Sequence, residues 1–317
     1  MGKRFETRGL TIVALLLCAQ ARAQDPASVK SPDETIFRSD TRLVELHATV
    51  TDKAGSLLTD LPQSAFQIFE NNAPQEIKVF RREDVPVSLG LIIDNSASMG
   101  DKRDKVASAA LALVRASNPN DEVFIMKFSD RPSLARDFTR DIKELESGLK
   151  KIDPSGTTAM RDALTIGIEH LKHGAVNDKK VLLVVTDGND NSSFETLDHL
   201  LQSAQQSGVL IYGIGLLSEE EPREAARAKK ALDTLTVATG GEVFYPKDLA
   251  EVDEIAHHVA HDLRNQYILA YNPSDQRQDG SFRRIRVTVR EPAAATVKTR
   301  SGYYAGLPDS RDRSAQP

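Results

Sequence analysis

Apolar runs alternate with amphipathic segments between residues 85 and 264. Two of these runs, VSLGLIID ending at Asp94 and KKVLLVVT ending at Thr186, are apolar on both faces. Strands of a parallel sheet covered by helices on both sides have this pattern. Helical periodicity follows such runs at Lys102–Ser117, Ile142–Ile152, Ala159–His173 and Leu197–Ser207, and a last helical segment ends at Arg264. The alternation predicts an α/β domain with a doubly wound, mostly parallel sheet over residues 85–264.

Short alternating segments flank this region on both sides. In residues 39–84, the segment TRLVELHATVTD places Val44, Leu46, Ala48 and Val50 on one face, as in a half-buried strand. Residues 265–305 again contain short alternating runs. Because two or three strands alone make a poor domain, we expect the two antiparallel β segments to pack together as one small sandwich-like module. The α/β domain is then inserted between them.

The first residues have the pattern of a secretory signal peptide. Basic residues at positions 3, 4 and 8 precede a short apolar core at Leu10–Ala19, and Ala21 and Ala23 are small. This pattern predicts cleavage after Ala23 and a secreted or periplasmic protein. No later segment reaches the length of about 18 apolar residues that a membrane span needs, so we expect no integral membrane segment after cleavage. Residues 24–38 are expected to be a linker, and residues 306–317 a disordered tail.

Charge and cysteine content narrow the classes of function. The chain carries a net charge of −5, and a leader of charge +3 (four basic residues against Glu6) leaves −8 on the mature protein. This acidic balance argues against nucleic acid as a partner. The only cysteine, Cys18, lies in the predicted leader after Leu17, where a lipoprotein signal requires a small residue. The mature protein is therefore expected to lack disulfides and thiolate metal sites.

Oxygen-bearing side chains gather where predicted strands end. Asp94, Ser96 and Ser98 follow the first apolar run, Asp187 follows a later one, and Thr158 precedes a helix in the loop SGTTAMRDAL. Because ligands bind beyond the carboxyl ends of the strands in a doubly wound sheet, we expect these residues to converge. Carboxylates and hydroxyls without histidine or cysteine favour Mg²⁺ or Mn²⁺ over zinc.

These motifs resemble the metal-ion-dependent adhesion site of von Willebrand factor type A domains. The likeness rests on Asp-x-Ser-x-Ser at residues 94–98, a distant threonine, and an aspartate in a Thr-Asp-Gly turn. Residues 158–163, Thr-Ala-Met-Arg-Asp-Ala, are similar to the family's stretch that carries the metal-binding threonine. The resemblance covers residues 85–264, and the flanking β segments are similar to larger bacterial proteins of this kind, common among acidobacteria.

The resemblance implies a role for each residue. Ser96, Ser98 and Thr158 would bind the metal through neutral hydroxyls, while Asp94 and Asp187 would act mostly through bound water. A metal with few direct anionic ligands keeps its electrophilicity and can accept an Asp or Glu carboxylate from a protein or peptide partner. The predicted function is that of a secreted, non-catalytic binding protein.

Alternative functions remain open at this stage. In the first, the same metal only stabilises a structural or assembly module. In the second, Asp94 is the nucleophile of a haloacid-dehalogenase-like phosphatase, although Ser96 stands where that chemistry needs a second aspartate as general acid. Each motif alone is also compatible with a helix cap or a tight turn. The chain has no Gly-x-Ser-x-Gly motif, which disfavours a serine hydrolase.

Two other polar clusters are interpreted as surface features. His257 and His261 have a spacing that can bind zinc on a helix, but they lie on or beside its solvated face and no His-Glu-x-x-His motif is present. The arginines of the run FRRIRVTVR, with those at positions 283 and 284 among them, are interpreted as a solvated sheet face or as edge protection.

Overall fold

The computed structural model describes residues 43–82, 84–150, 155–217, 221–290 and 295–306, which form one compact unit. The predicted signal peptide (1–23), the predicted linker (24–38) and nearly all of the predicted tail (306–317) lie outside the described residues. Among the residues that are described, no helix has the length and apolar character needed to cross a membrane. The domain boundaries proposed after residues 84 and 264 stay predictions.

The secondary structure alternates between strands and helices in its middle part. The strands are β1 (Val44–Thr51), β2 (Phe66–Glu70), β3 (Ala73–Gln75), β4 (Ile77–Arg81), β5 (Val87–Asp94), β6 (Glu122–Phe128), β7 (Pro132–Thr139), β8 (Lys179–Thr186), β9 (Leu210–Gly215), β10 (Val243–Phe244), β11 (Tyr267–Tyr271), β12 (Phe282–Val289), β13 (Thr296–Lys298) and β14 (Gly302–Tyr304). The helices are α1 (Arg103–Ala116), α2 (Ile142–Lys150), α3 (Met160–Gly174), α4 (Leu197–Ser207), α5 (Pro222–Thr239) and α6 (Val252–Arg264).

The central sheet has six strands in the order β10-β9-β8-β5-β6-β7. All neighbours are parallel except β7, which pairs antiparallel with β6. The chain leaves β5 for β6 on one side and later returns to β8 on the other side. This change of direction makes the carboxyl end of β5 a topological switch point, which is where open α/β sheets bind ligands.

Helices cover both faces of the central sheet, as the apolar strands require. Helices α1, α2 and α6 enclose one core with Leu89 and Leu91 of β5, and α3, α4 and α5 enclose the other core with Ile92. Gly90 also faces the second core, where a Cβ atom would lie 2.3 Å from the Phe124 ring. A glycine is needed there because the aromatic ring fills the space. The predicted doubly wound, mostly parallel fold is confirmed.

The flanking segments form two antiparallel sheets of four strands, in the orders β13-β1-β11-β4 and β14-β12-β2-β3. Each sheet combines strands from before and after the α/β region. Their inner faces share one core, which contains Leu46, Ile68, Tyr267 and Tyr271. The prediction that the two β segments pack into one sandwich is therefore confirmed.

One arginine of β12 is not solvated, so the interpretation of the whole run as a surface feature was wrong at this position. Arg283 is 3% exposed, while Arg284 is exposed. Arg283 faces inward because it shares the strand parity of the buried Ile285. Its guanidinium group is stabilised by the carboxylates of Asp275 and Asp279.

Candidate metal centre

Asp94 ends β5 and its side chain is fixed from two sides. The residue is 1% exposed. The Ser96 N–H donates to Asp94 Oδ1 at 2.8 Å, and the Thr186 hydroxyl at the end of β8 donates to Oδ2 at 2.5 Å. Burial raises the pKa of Asp94; these two hydrogen bonds offset part of that effect, and the charge of Asp187 adds to it. The carboxyl group is thus held in one orientation behind the Ser96–Ser98 loop.

The two serines connect Asp94 to Asp187. Ser96 Oγ and Ser98 Oγ lie 3.2 Å apart, and the Ser98 hydroxyl donates to Asp187 Oδ1 at 2.9 Å. Asp187 directly follows β8, and its side chain is 2% exposed. Because β5 and β8 are adjacent parallel strands, the loops after them meet at the same edge of the sheet. Four of the predicted site residues therefore form one continuous cluster of oxygen atoms.

Backbone hydrogen bonds join the loop that carries Thr158 to the loop after β5. The Ser155 N–H donates to the Asn95 carbonyl at 2.8 Å, and the Ala97 N–H donates to the Gly156 carbonyl at 3.3 Å. Gly156 has a φ of +82°, and a Cβ atom there would lie 2.7 Å from Asp130 Oδ1. Only glycine fits both the conformation and the space. Backbone hydrogen bonds therefore hold the two loops together, whatever their side chains do.

Thr158 is 5% exposed and is held by the loop after β8. Its N–H donates to Asn191 Oδ1 at 3.0 Å, and its carbonyl accepts from the Asn191 N–H at 3.0 Å. Its Oγ1 atom lies 3.9 Å from the place a Cβ atom would take on Gly188. Asn191 was missed by the sequence reasoning, although it belongs to the same polar TDGNDN segment as Asp187.

A cleft of about 310 Å³ opens over this cluster. Polar groups from all three loops and from the start of α5 line it: Ser98, Lys102, Thr158, Asp187, Asn189, Asn191, Glu221 and Glu224. Ser98, Thr158 and Asp187 face the cleft, while Asp94 and Ser96 lie behind them. The structure brings all five predicted residues together, and their role in binding a metal stays a prediction.

Lys102, which the sequence reasoning also missed, places its positively charged ammonium group at the candidate metal centre. Its Nζ atom donates to Asp187 Oδ2 at 2.5 Å and to the Ser98 carbonyl at 3.3 Å. An ammonium group thus occupies the position in which the oxygen cluster stabilises positive charge. The donors are carboxylate and hydroxyl oxygens, which Mg²⁺ and Mn²⁺ prefer. The residues present therefore fit a hard divalent cation.

The protein is thus an α/β domain with an oxygen-rich cluster at the switch point of its sheet, and comparison with known proteins specifies this class further. Residues 89–189 match the family model of the von Willebrand factor type A domain. The predicted resemblance to type A domains is therefore confirmed over residues 89–189.

Individual relatives are distant. An uncharacterized protein of Borreliella burgdorferi is 23% identical over 209 residues, which is 63% of this chain and 60% of that protein. The chain thus spans about 60% of the length of this relative. Among solved structures, a von Willebrand factor type A protein from Catenulispora acidiphila is 14% identical, with a TM-score of 0.47 over 89% of this chain and 78% of that one. Proximal thread matrix protein 1 of the mussel byssus, with zinc in its metal-ion-dependent adhesion site, is 16% identical, with a TM-score of 0.48 over 62% of this chain and 50% of that one.

Proposed function

We propose that the type A domain binds Mg²⁺ or Mn²⁺ through Asp94, Ser96, Ser98, Thr158 and Asp187, and through that cation the Asp or Glu carboxylate of a protein or peptide partner. The protein would act outside the cytoplasm, with its leader cleaved after Ala23. One observation carries the proposal. Three loops converge on a single cleft at the switch point, and a lysine ammonium already lies against one of the two carboxylates.

The geometry supports a different role for each of these residues. The hydroxyls of Ser98 and Thr158 face the cleft, so they can reach a cation and a partner together. Asp94 supplies negative charge from behind and orients the loop through the Ser96 N–H. When bound, the cation supplies an electrophilic position for the partner's carboxylate. Asn191 holds the backbone of Thr158 and so positions its hydroxyl.

The burial of Asp94 supports binding rather than phosphoryl transfer. A nucleophilic carboxylate must reach the substrate, but Asp94 is 1% exposed and both of its oxygens accept hydrogen bonds. The position of the general acid is taken by Ser96, whose hydroxyl has the Ser98 hydroxyl 3.2 Å away. Metal-dependent hydrolysis of p-nitrophenyl phosphate that Asp94→Asn removes would favour the phosphatase instead.

The loop that carries Asn191 and the wall of the cleft indicate further chemistry for the partner. Phe194, in the same loop as Asn191, is 92% exposed, while the N–H groups of Phe194 and Glu195 donate to the Asp162 carboxylate at 3.1 and 2.8 Å. The ring therefore stands on a fixed backbone, as the aromatic anchors of binding surfaces do. Glu221 and Glu224 line the cleft. We expect a partner with a basic residue and an apolar residue near its acidic one.

Selection from a displayed library of random peptides tests the proposal without knowledge of the natural partner. Peptides would be captured on the pure protein in Mg²⁺ and eluted with EDTA. We expect the eluted peptides to be enriched in Asp or Glu, because a carboxylate is the group that the cation accepts. Asp187→Ala should capture none of them, while Asp198→Ala, an exposed aspartate in the first turn of α4, should capture them like the wild type. Enrichment of peptides without acidic residues, or retention in EDTA, would contradict the proposal.

A further inference from the structure

A second group of metal-ligating side chains lies on α6 and the segment before β10. His258 and Asp262 are four residues apart on α6, so they share one face of the helix. Glu242 precedes β10 and faces them. One ligand atom from each of the three residues lies within 4.8 Å of the others, and His258 Nε2 is 3.6 Å from Asp262 Oδ1. These spacings suit three ligands around a single cation.

Two carboxylate oxygens in this group are buried and accept no hydrogen bond from the described residues. Asp262 is 1% exposed, and no group in the described part of the chain donates a hydrogen bond to its Oδ1 atom. The Oε2 atom of Glu242 is likewise buried and accepts no hydrogen bond from the described residues. A buried charge is costly unless it is paired or coordinates a metal. A cation bound between these two atoms would supply the partner that hydrogen bonding does not.

Neighbouring side chains act on the cluster from several sides. Lys298 of β13 contacts Glu242 Oε1, the other oxygen of that carboxylate. The Phe244 ring packs against the His258 ring edge to face at 5.4 Å and orients it. Burial raises the pKa of Asp262; the charges of His258 and Lys298 oppose that effect, and the charge of Glu242 adds to it. The pKa of Asp262 therefore stays raised despite the neighbouring positive charges.

We propose that Glu242, His258 and Asp262 form a second cation site that takes Zn²⁺ or a similar divalent transition metal. One imidazole nitrogen and two carboxylate oxygens are ligands that zinc accepts, and solvent completes a tetrahedral site. The His258 side chain is 43% exposed, which provides a route of entry. The cation would tie α6 to the segment between α5 and β10, beside strand β13 of the sandwich.

This site is distinct from the first metal centre. Lys179, the first residue of β8, donates to the carbonyl of Leu263, the neighbour of Asp262, at 2.5 Å. Asp187, in contrast, follows the last residue of β8. The strand between them spans roughly 25 Å, so the two sites lie at opposite edges of the central sheet. A cation at one site shares no ligand with the other.

Zinc binding to the full-length chain tests the inference. The titration would use Asp187→Ala, which disables the first centre, and would measure stoichiometry, affinity and the zinc-dependent shift in melting temperature. We expect one Zn²⁺ per chain. Adding His258→Gln or Glu242→Gln should weaken binding by at least about tenfold, because loss of a direct ligand costs no less than loss of an outer partner. The thermal shift should disappear with it.

The adjacent His257 provides a matched control, because it is exposed on the same helix and belongs to neither site. His257→Gln should bind zinc like its parent. Equal zinc affinity in His258→Gln and its parent, or no zinc binding in the Asp187→Ala chain, would overturn the inference. His258 is partly exposed, so its substitution does not threaten the fold. Peptide capture in Mg²⁺ by His258→Gln tests the first centre separately, so failure of one proposal leaves the other standing.

Discussion

At the scale of single residues, Lys102 contacts the carboxylate of Asp187, which the proposed metal ion would also use. We predict that Lys102→Met increases Mg²⁺ affinity by about three- to tenfold, because a positive charge at 2.5 Å from Asp187 Oδ2 is removed while the aliphatic chain is kept. Isothermal titration calorimetry measures the change. Lys105→Met is the matched control, because Lys105 lies on the same helix and pairs instead with Asp253. Unchanged Mg²⁺ affinity in Lys102→Met would place the cation elsewhere.

Substitution of Thr158 distinguishes a metal site that binds a partner from one that only stabilises the fold. Thr158 stands in the motif that resembles the type A site, where the corresponding threonine approaches the metal when the partner's carboxylate is bound. We therefore predict that Thr158→Ala leaves the Mg²⁺ affinity of the free protein nearly unchanged but weakens peptide capture by about 1–3 kcal/mol. Calorimetry gives the first quantity and surface capture gives the second.

Thr157→Ala is the control for this experiment. Its hydroxyl donates to Asp130 at 2.6 Å on the exposed side of the loop, so neither quantity should change. If Thr158→Ala instead lowers stability and Mg²⁺ affinity together, the metal serves as a structural element and the alternative of an assembly module gains support.

At the scale of elements, strand β1 carries a largely buried histidine that is neutral at pH 7. Burial, followed by the charges of Lys179, Arg300 and Arg81, lowers the pKa of His47 to about 3. The Glu45 carboxylate lies 3.5 Å from His47 Nε2, but it does not outweigh these effects, so the imidazole stays neutral at pH 7. The unfolded chain takes up a proton near pH 6.5, whereas the folded chain does so only near pH 3.

Stability should therefore fall as the pH drops from about 6.5 towards 3, by about 1 kcal/mol per pH unit from this group. We predict that His47→Gln reduces this dependence, since no group at that position then titrates. Urea unfolding at pH 7 and pH 5 measures it. His173→Gln, at a side chain that is 74% exposed, should keep the wild-type dependence. The same slope in His47→Gln and wild type would contradict the prediction.

At the scale of the whole molecule, one buried carboxylate joins the two sheets of the sandwich. Glu70 of β2 is 3% exposed. Its Oε2 atom accepts hydrogen bonds from the Tyr303 hydroxyl of β14 at 2.9 Å and from the Tyr271 hydroxyl of β11 at 2.7 Å. Because β11 belongs to the other sheet, the bond from Tyr271 crosses the core. Strands that are about 200 residues apart in sequence are linked by one polar contact.

Tyr271→Phe removes one of these donors from a buried charge. We predict a loss of about 1–3 kcal/mol in the free energy of unfolding, since the carboxylate keeps its desolvation cost with one partner fewer. Chemical denaturation followed by circular dichroism gives the value. Tyr304→Phe, at a partly exposed ring against Phe282, should change stability by less than about 0.5 kcal/mol. Equal stability of Tyr271→Phe and wild type would show that the link is dispensable.

Much of the fold was predictable from local patterns. The apolar run ending at Asp94 became β5, buried along all eight residues, and helix α4 begins and ends at the predicted Leu197 and Ser207. These patterns are readable because a strand buried on both faces and an amphipathic helix each impose a period on their own residues. The convergence of Asp94 and Asp187 was predictable as well, since the carboxyl ends of neighbouring parallel strands share an edge.

Tertiary structure alone decided which charges meet. No local pattern pairs Lys102 with Asp187, which follows 85 residues later, or the inward-facing Arg283 with Asp275. The Glu242–His258–Asp262 group was not predicted from the sequence either. The i, i+4 spacing indicated instead the exposed histidines His257 and His261 on the same helix. The physical reason is that hydrophobic periodicity reports which face of an element is buried. Whether a buried carboxylate finds a cation depends on the neighbouring elements that packing brings against that face.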